Sequence, residues 1–382
     1  MADPHVARRI RLGQVGGGEG AFIGAVHRIA ARLDDRYELV AGCFASTPER
    51  SRASARALGI AGERAYGDFG EMAEREAARA DGIEAVSIVT PNHLHYPAAE
   101  AFLRRGIHVI CDKPLTSTLG DARRLHEVAL AAREESGARL VVTYNYSGYP
   151  LIRQARAMVA AGELGEIRVA QVEYAQDWLA RDAASDGPRR SSWRADPRRA
   201  GGGGAIGDIG THAFHLLGFV TGSRPDRLSA ELSTFTPGGR LDDDAAIALR
   251  YASGMRARIW CSQVASGHEN GLRLRVHGSK GGLDWSQENP NVLRHAPLGE
   301  PVRLLTRGGP ALAPESLAVT RIPAGHPEGF LEGFATLYRE AADLFAGAEA
   351  PHLPDIDDGL RGVAFVDACL RSGEADGAWV SL

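Results

Sequence analysis

The sequence predicts an α/β protein of two domains: a doubly wound parallel sheet over residues 1–145 and a second α/β domain over residues 146–382. Three observations predict this fold class. Strand-like and helix-like segments alternate through the first third of the chain, a glycine-rich turn joins the first strand to the first helix, and short alternating strands dominate after residue 146. The length of 382 residues suits roughly two or three domains.

In the first third, each apolar run is followed by a segment with helical spacing or by a turn. Strands separated by helices favour βαβ units, whose strands run parallel in one sheet. The predicted strands are 10–15, 38–44, 85–90, 107–111 and 140–144, and the predicted helices are 21–33, 48–58, 95–104 and 121–135.

The second part begins with a helical segment at 149–161 and continues with predicted strands at 169–174, 245–251, 255–264, 272–277 and 282–285, before helices at 328–345 and 358–370. Residues 252–254 join two of these strands as a hairpin, so we expect a mostly antiparallel sheet with one covered face. Alternation does not say which face meets the helices. We place Ile247, Leu249 and Ile259 on the exposed face, as the interface of a homodimer or homotetramer.

Composition excludes several classes of protein. Hydrophobic residues make up 44% and charged residues 24%, as in an ordinary globular chain with a real core. The net charge of −4 gives no basic surface for nucleic acid or an anionic membrane, and no apolar stretch approaches the roughly 18 residues of a membrane span. The four cysteines form no CxxC pair and no disulfide framework, so we expect a cytoplasmic protein.

Five glycines lie within residues 16–24, directly after the first predicted strand and at the start of the first helix. Such a turn lets a pyrophosphate approach the backbone at a helix N-terminus, which predicts a bound dinucleotide. The residues that we expect to contact it are Gly16, Gly18, Gly20, Ala21, Phe22 and Ile23.

The end of the second predicted strand bears on the choice between NAD and NADP. NAD-binding domains of this kind usually carry an acid there, which binds the ribose hydroxyls. This chain has none directly at the strand end, and Ser46, Thr47 and Arg50 are placed to receive a 2′-phosphate instead. We therefore favour NADP slightly, with NAD bound without the acid as the alternative.

Two further turns follow predicted strands at the same edge. Thr90, Pro91, Asn92 and His95 lie in the first turn, where Asn92 and the backbone are placed to line a nicotinamide. His93 and His95 have the HxH spacing of some metal sites, but no acid or cysteine lies close by, and we expect no bound metal.

Lys113 follows the strand at 107–111, beside Asp112. In an open α/β sheet this position faces the ligand crevice. The lysine ammonium can hydrogen-bond a substrate hydroxyl and stabilise a developing alkoxide.

A second glycine cluster at 201–204 precedes a segment with helical spacing. Asp208 and His212 are four residues apart, so they share one helix face and suit a general base with a carboxylate partner. The alternative is structural: an acid that complements the helix dipole, and a buried histidine.

The ordered set of motifs resembles the Gfo/Idh/MocA family of sugar and cyclitol oxidoreductases. The segments that carry the resemblance span the chain: the glycine turn through His27, residues 90–95, residues 112–114 and residues 207–212. Two features depart from the family pattern. Asp112 replaces the commoner glutamate, and the glycine loop is longer than usual.

The resemblance implies a Rossmann domain followed by an α/β domain with a large open sheet, with substrate bound beside the nicotinamide of NAD(P). It implies that Asp112 and Lys113 contact the cofactor, that Lys113 also contacts the substrate, that His212 is the general acid/base, and that Asp208 binds a sugar hydroxyl or orients His212. It also implies that the substrate pocket is lined by Tyr146, Tyr174, Trp193 and Arg194.

We therefore expect hydride transfer between NAD(P) and a secondary alcohol of a sugar, glycoside or cyclitol. Three alternatives stay open. One is a redox-neutral lyase or glycosidase of the same fold, and another is a cofactor-sensing regulator without catalysis. The third is a metal hydrolase built on His93, His95, Asp208 and His212. The arginine-rich loop at 177–204 suits a lid or an acidic or bulky glycoside.

Overall fold

The computed structural model describes residues 8–183, 193–194 and 196–382. They form two compact units. The first contains the residues up to Asn145 together with Leu331–Leu360, and the second contains Tyr146–Phe330 and Arg361–Leu382. The chain leaves the first unit after Asn145 and returns to it for the thirty residues Leu331–Leu360.

The strands of the described residues are numbered in chain order. They are β1 Ile10–Gly16, β2 Tyr37–Cys43, β3 Ala85–Val89, β4 His108–Cys111, β5 Leu140–Val142, β6 Ile167–Ala175, β7 Arg227–Ser233, β8 Asp244–Arg250, β9 Arg256–Ser262, β10 Gly271–Gly278, β11 Gly281–Ser286, β12 Val292–Pro297, β13 Arg303–Thr306 and β14 Val380–Ser381.

The α-helices of the same residues are numbered likewise. They are α1 Phe22–Leu33, α2 Pro48–Ala57, α3 Phe69–Ala77, α4 His95–Leu103, α5 Leu119–Ser136, α6 Pro150–Ala160, α7 Trp178–Ala183, α8 Pro197–Ala200, α9 Thr211–Thr221, α10 Pro314–Leu317, α11 Phe330–Phe345 and α12 Ile356–Glu374. Among them, no helix is both long and apolar enough to cross a bilayer.

The first unit is built on a five-stranded sheet of the described residues, in the order β2-β1-β3-β4-β5, and every pair is parallel. The predicted doubly wound sheet is confirmed. Strand order reverses between β1 and β3, and ligands of open α/β sheets bind at the carboxyl ends of strands beside such a switch point. The turns after β1, β3 and β4 therefore lie at one edge.

Helix α11 completes this unit from far along the chain. Its Tyr338 is buried and packs edge-on against Tyr37, with ring centroids 5.4 Å apart. The Tyr37 hydroxyl donates to the carbonyl of Tyr338 at 2.9 Å. This apolar and hydrogen-bonded contact explains why Leu331–Leu360 belongs to the first unit.

The second unit contains a nine-stranded sheet of the described residues, in the order β13-β12-β11-β10-β6-β9-β8-β7-β14. Its neighbouring strands are antiparallel except β6 and β9, which run parallel. The predicted mostly antiparallel sheet is confirmed, and so is the β8–β9 hairpin, in which Ala245 pairs with Cys261.

The prediction of which face is exposed is wrong. Ile247, Leu249 and Ile259 are at most 2% exposed and belong to the core of the second unit, with Leu216 and Leu217 of α9. Helix α9 is apolar on nearly every side, so it covers the apolar face of the sheet. The opposite face carries exposed arginines, including Arg250 and Arg256 on either side of the β8–β9 turn, and Arg258.

Candidate functional site

The glycine-rich loop after β1 has a backbone that only glycine adopts without cost. Gly16, Gly17 and Gly20 have positive φ angles of 82°, 66° and 79°. A Cβ on Gly18 would lie 2.8 Å from the carbonyl oxygen of Phe44. The predicted loop thus leaves its backbone bare for a ligand.

Glycine also allows α1 to pack directly on this loop. A Cβ on Gly24 would lie 2.2 Å from the carbonyl oxygen of Gly17, too close for any contact. Two side chains hold the loop: Gln14 Nε2 of β1 donates to the Gly16 carbonyl at 2.9 Å, and the Arg28 guanidinium of α1 donates to the Gly17 carbonyl at 2.7 Å. The sequence analysis missed Gln14 and Arg28, because their role depends on which way the loop turns.

The first turn of α1 is suited to an anion. Its N-cap residue Ala21 makes no side-chain cap hydrogen bond, and the turn holds no acid, among the residues that the structure describes. Phe22 is 73% exposed and Ile23 is half-buried, so both follow the loop into the helix. Backbone N–H groups at such a terminus bind pyrophosphate.

Buried polar atoms at the same edge test the fit of a dinucleotide. Within the described residues, Thr90 Oγ1 and Asn145 Nδ2 are buried without a hydrogen-bond partner, after β3 and β5. Buried polar atoms are costly unless they are paired, so a ligand with donors and acceptors is suited to this edge. The bare glycine loop and these two atoms fit NAD. The sequence analysis missed Asn145.

Ser46, Thr47 and Arg50 lie together on the exposed surface where β2 leads into α2. Thr47 is the N-cap of α2, and its hydroxyl accepts the backbone N–H of Arg50 at 3.4 Å. The side chain of Arg50 is exposed on the first turn. The preference for NADP stays a prediction.

His95 links two of the predicted turns. Its Nδ1 lies 2.8 Å from the carbonyl oxygen of Pro114, and its Nε2 lies 2.9 Å from that of Thr90. Burial lowers the pKa of His95. Because both ring nitrogens face backbone carbonyls, His95 holds the turns after β3 and β4 together. Pro91 and the buried Asn92 complete the first turn.

The Asp112-Lys113 segment is fixed by hydrogen bonds. Asp112 Oδ1 accepts the backbone N–H of Lys113 and the hydroxyl of Thr143, each at 2.9 Å. His27 Nε2 lies 3.9 Å from the same oxygen. Burial disfavours the charged carboxylate, but His27, Lys113 and His95 outweigh burial and hold the pKa of Asp112 below its usual range. Asp112 is therefore an anion beside Lys113.

The scarcity of lysine in the sequence is a further feature that singles out Lys113. Lys113 and Lys280 are the only lysines in the sequence, whereas the chain has 42 arginines. An ammonium is a compact charge that gives up a proton far more readily than a guanidinium does. A chain that otherwise uses arginine as its cation therefore has a chemical reason to keep lysine at position 113.

In the second unit, Asp208 and His212 lie on consecutive turns. Residues Ile206–Gly210 form a π-helical turn, which leads into α9. The predicted regular helix is thus widened at Asp208, a distortion that is frequent at functional sites. Asp208 Oδ2 accepts from Gln263 Nε2 at 2.9 Å, and Arg194 Nε lies 4.0 Å from Asp208 Oδ1.

The loop before this turn is held by Asp242. The Asp242 carboxylate accepts the backbone N–H groups of Gly204 at 2.6 Å and Ile206 at 2.8 Å. Burial raises the pKa of Asp242 to about 6. The sequence analysis missed Asp242, although three consecutive acids at 242–244 in an apolar stretch are a signal that it had available.

His212 is buried against two tyrosines that the resemblance assigned to the pocket. Its ring lies 5.0 Å from that of Tyr146 and 6.3 Å from that of Tyr174, between centroids. The Tyr146 and Tyr174 hydroxyls are 2.5 Å apart, and Tyr174 donates to Asn270 Oδ1 at 2.9 Å. Burial raises the pKa of both tyrosines, so they are neutral hydrogen-bonding groups. The sequence analysis missed Asn270 and Gln263.

Trp193 and Arg194 lie between two stretches outside the described residues. The Arg194 guanidinium stacks on the Trp193 ring at 4.5 Å from its centroid. The predicted loop at 177–204 contains the short helices α7 and α8, and its Arg189 and Arg190 lie outside the described residues. No group of three or more potential metal ligands occurs in the described part of the chain.

Comparison with known proteins decides the family. A family described as oxidoreductases with an NAD-binding Rossmann fold matches residues 10–155, and the GFO/IDH/MocA C-terminal domain matches residues 152–284. The chain belongs to the GFO/IDH/MocA oxidoreductase family. The expected family and its NAD-binding domain are thereby confirmed.

Similar proteins match this chain over nearly its whole length. An uncharacterized oxidoreductase of Bacillus subtilis is 34% identical over 98% of this chain and 97% of its own length. A solved oxidoreductase from Sinorhizobium meliloti is 54% identical, with a TM-score of 0.88 over 98% of this chain and 100% of that one.

Two solved structures of inositol dehydrogenase homologues from Azotobacter vinelandii are also similar. The one complexed with NAD+ is 39% identical, with a TM-score of 0.92, and the match covers 99% of this chain and 98% of that one. The one complexed with NADH and myo-inositol is 38% identical, with a TM-score of 0.90, and the match covers 98% of each chain.

Proposed function

We propose that the protein is an NAD(P)-dependent dehydrogenase that transfers a hydride between nicotinamide and a secondary alcohol of a cyclitol, a sugar or a glycoside. The observation that carries this proposal is the setting of His212. It lies one helical turn after Asp208, against Tyr146 and Tyr174, with Asn270 and Gln263 bonded to these groups.

Neutral hydroxyl and amide groups around one acid and one histidine suit a polyhydroxylated substrate. Tyrosine hydroxyls and carboxamides both donate and accept hydrogen bonds, as the hydroxyls of a cyclitol or sugar do. Aromatic faces suit the apolar C–H face of a six-membered ring. The inositol dehydrogenase homologues, one of them complexed with myo-inositol, support a cyclitol as the first substrate class to test.

The proposed roles follow from acid–base chemistry. His212 takes the proton of the substrate hydroxyl as general base, and Asp208 binds a neighbouring hydroxyl or orients the imidazole. Lys113, beside the anionic Asp112, stabilises the alkoxide that forms. When bound, NAD(P) supplies a nicotinamide that accepts the hydride from the carbinol carbon. In the reverse direction His212 returns the proton.

The first test measures nicotinamide absorbance with inositols, pyranoses and glycosides, using NAD and NADP in parallel. Lys113→Ala and His212→Ala are compared with Lys280→Ala and His277→Ala, which remove the same side chains away from the site. We expect the first pair to lower turnover about 10²-fold or more and the second pair to leave it unchanged. Unchanged turnover in Lys113→Ala and His212→Ala would refute the assigned roles.

The same assay separates the other functions of the fold. Product formation without net reduction of the cofactor would indicate a redox-neutral lyase or glycosidase. Binding of dinucleotide without any product would indicate a sensor. We propose that the protein is a dimer or tetramer formed through the arginine-bearing outer face of the nine-stranded sheet. Light scattering measures the oligomeric state of Arg258→Glu and of the native chain.

A further inference from the structure

Three buried polar side chains of the first unit meet beneath the turn that carries Lys113. His27 lies on α1, Ser87 on β3 and Tyr338 on α11, and each is about 1% exposed. His27 Nδ1 is 2.9 Å from the Tyr338 hydroxyl and 3.2 Å from Ser87 Oγ. Burying a polar group costs free energy unless it is hydrogen-bonded, so these contacts are what allows the three side chains to be buried together.

The hydrogen bonds have a direction. The Tyr338 hydroxyl donates to Ser87 Oγ at 3.0 Å, which uses the only proton of the tyrosine. The Ser87 proton is then available for His27 Nδ1. A neutral imidazole carries its single N–H on the other nitrogen in that case, so Nε2–H faces Asp112 Oδ1 across 3.9 Å. The negative charge of Asp112 favours the same tautomer.

Asp112 passes this order on to Lys113. The oxygen that faces His27 also accepts the Lys113 backbone N–H and the Thr143 hydroxyl. A rotation of the carboxylate would break both hydrogen bonds and move the backbone from which the ammonium extends. The titratable side chains that act on Asp112 are His27, Lys113 and His95, and of these His27 contacts Ser87 and Tyr338.

We propose that Tyr338, Ser87 and His27 form a hydrogen-bonded chain, the relay, that orients Asp112. Because Asp112 fixes the turn that carries Lys113, the three residues of the relay are positioning residues for Lys113. The inference rests on the proposed function, because it assigns a purpose to the setting of Lys113. His27 Nε2 lies 3.9 Å from Asp112 Oδ1, which is too long for a hydrogen bond, so the imidazole acts on the carboxylate through the dipole of its N–H across this gap.

The chain offers a matched pair of variants. Tyr338→Phe and Tyr37→Phe each remove one buried tyrosine hydroxyl, and the two rings pack against each other. The Tyr37 hydroxyl donates to the backbone carbonyl of Tyr338, whereas the Tyr338 hydroxyl belongs to the relay. Similar losses of thermal stability are expected, since each variant loses one hydrogen bond.

Two measurements then separate positioning from stability. The first is kcat and KM with the substrate found in the panel, together with the dissociation constant for NAD. We expect Tyr338→Phe to lower kcat about fivefold, the fold-change for one hydrogen bond that counts in the transition state. KM and NAD affinity stay within twofold. Tyr37→Phe keeps the native kcat, and His27→Gln follows Tyr338→Phe.

The second measurement needs no activity. Because the chain has two lysines, ¹³Cε-lysine labelling gives two resonances, and Lys280→Arg assigns them. We expect the Lys113 resonance to move in Tyr338→Phe and to stay in place in Tyr37→Phe.

The outcomes are distinguishable. A Lys113 resonance that does not move in Tyr338→Phe, or equal kcat values for the two tyrosine variants, overturns the relay. Full turnover in Lys113→Ala overturns the proposed role of Lys113 instead, and the relay is then judged on the resonance alone.

Discussion

Gly24 offers a sharp test of the dinucleotide site, because its replacement by alanine acts through contact and not through backbone conformation. Its Cβ would lie 2.2 Å from the Gly17 carbonyl oxygen, whereas a van der Waals contact needs about 3.2 Å or more. Helix α1 or the loop must therefore move by about 1 Å. Overpacking of this kind costs about 1–3 kcal/mol. The loop that moves is the one that we propose to hold the pyrophosphate.

Three other glycines separate contact from conformation. Gly20 and Gly59 have positive φ with nothing within 4 Å of an added Cβ, and Gly62 has neither restriction. The backbone cost at the first two is about 1–2 kcal/mol. Gly20 lies in the loop, whereas Gly59 lies outside it.

We expect NAD affinity, measured by titration calorimetry, to fall about tenfold to a hundredfold in Gly24→Ala and less in Gly20→Ala. Gly59→Ala loses thermal stability but keeps its NAD affinity, and Gly62→Ala changes neither quantity. Native NAD affinity in Gly24→Ala would refute the argument, and so would an equal loss of affinity in Gly59→Ala.

Two further predictions concern titration and cofactor choice. Burial gives Asp242 a pKa of about 6 in the folded chain against 3.8 in a model compound, so the folded state binds more protons between these pH values. The free energy of unfolding therefore falls by about 3 kcal/mol as the pH rises through this window. We expect Asp242→Asn to lack this fall when unfolding by denaturant is measured at several pH values. The same pH dependence in the variant and in the native chain would contradict the prediction. In the second, Arg50→Glu raises the KM for NADP about tenfold with little change for NAD, because it replaces a cation by an anion at the 2′-phosphate position. Arg56→Glu, at the far end of α2, is the control, and an equal response of both cofactors to Arg50→Glu would show that Arg50 does not meet the phosphate.

Much of the fold followed from the sequence because the relevant signals are local. Periodicity separates the strands and helices of the first unit, and the glycines at 16–24 mark the turn between β1 and α1 that we propose for a dinucleotide. The hairpin at 252–254 fixes the antiparallel pairing of β8 and β9. The order of the motifs, more than any one of them, identified the family.

What the sequence did not predict depends on long-range packing. Alternation gave two faces of the second sheet, and only the position of α9 shows that Ile247 and Ile259 face inward. The contacts of His27 with Tyr338 join residues 311 apart in the chain, which no local pattern reports. Asp242 acts 38 residues away, on the backbone of Gly204. These roles are set by which backbone groups the fold leaves to be satisfied.

The return of Leu331–Leu360 to the first unit affects how the protein is made. During synthesis the ribosome completes residues up to Asn145 long before α11 emerges, so the nascent first unit has its parallel strands but lacks Tyr338. His27 and Tyr37 therefore lack their contacts with Tyr338 while nearly two hundred further residues are translated. The nucleotide-binding loop is assembled early, and the setting of Lys113 is completed late. On the proposed relay, a polypeptide released before residue 338 lacks the hydroxyl that orders the Asp112 turn, so the surroundings of Lys113 are completed only when the chain is nearly whole.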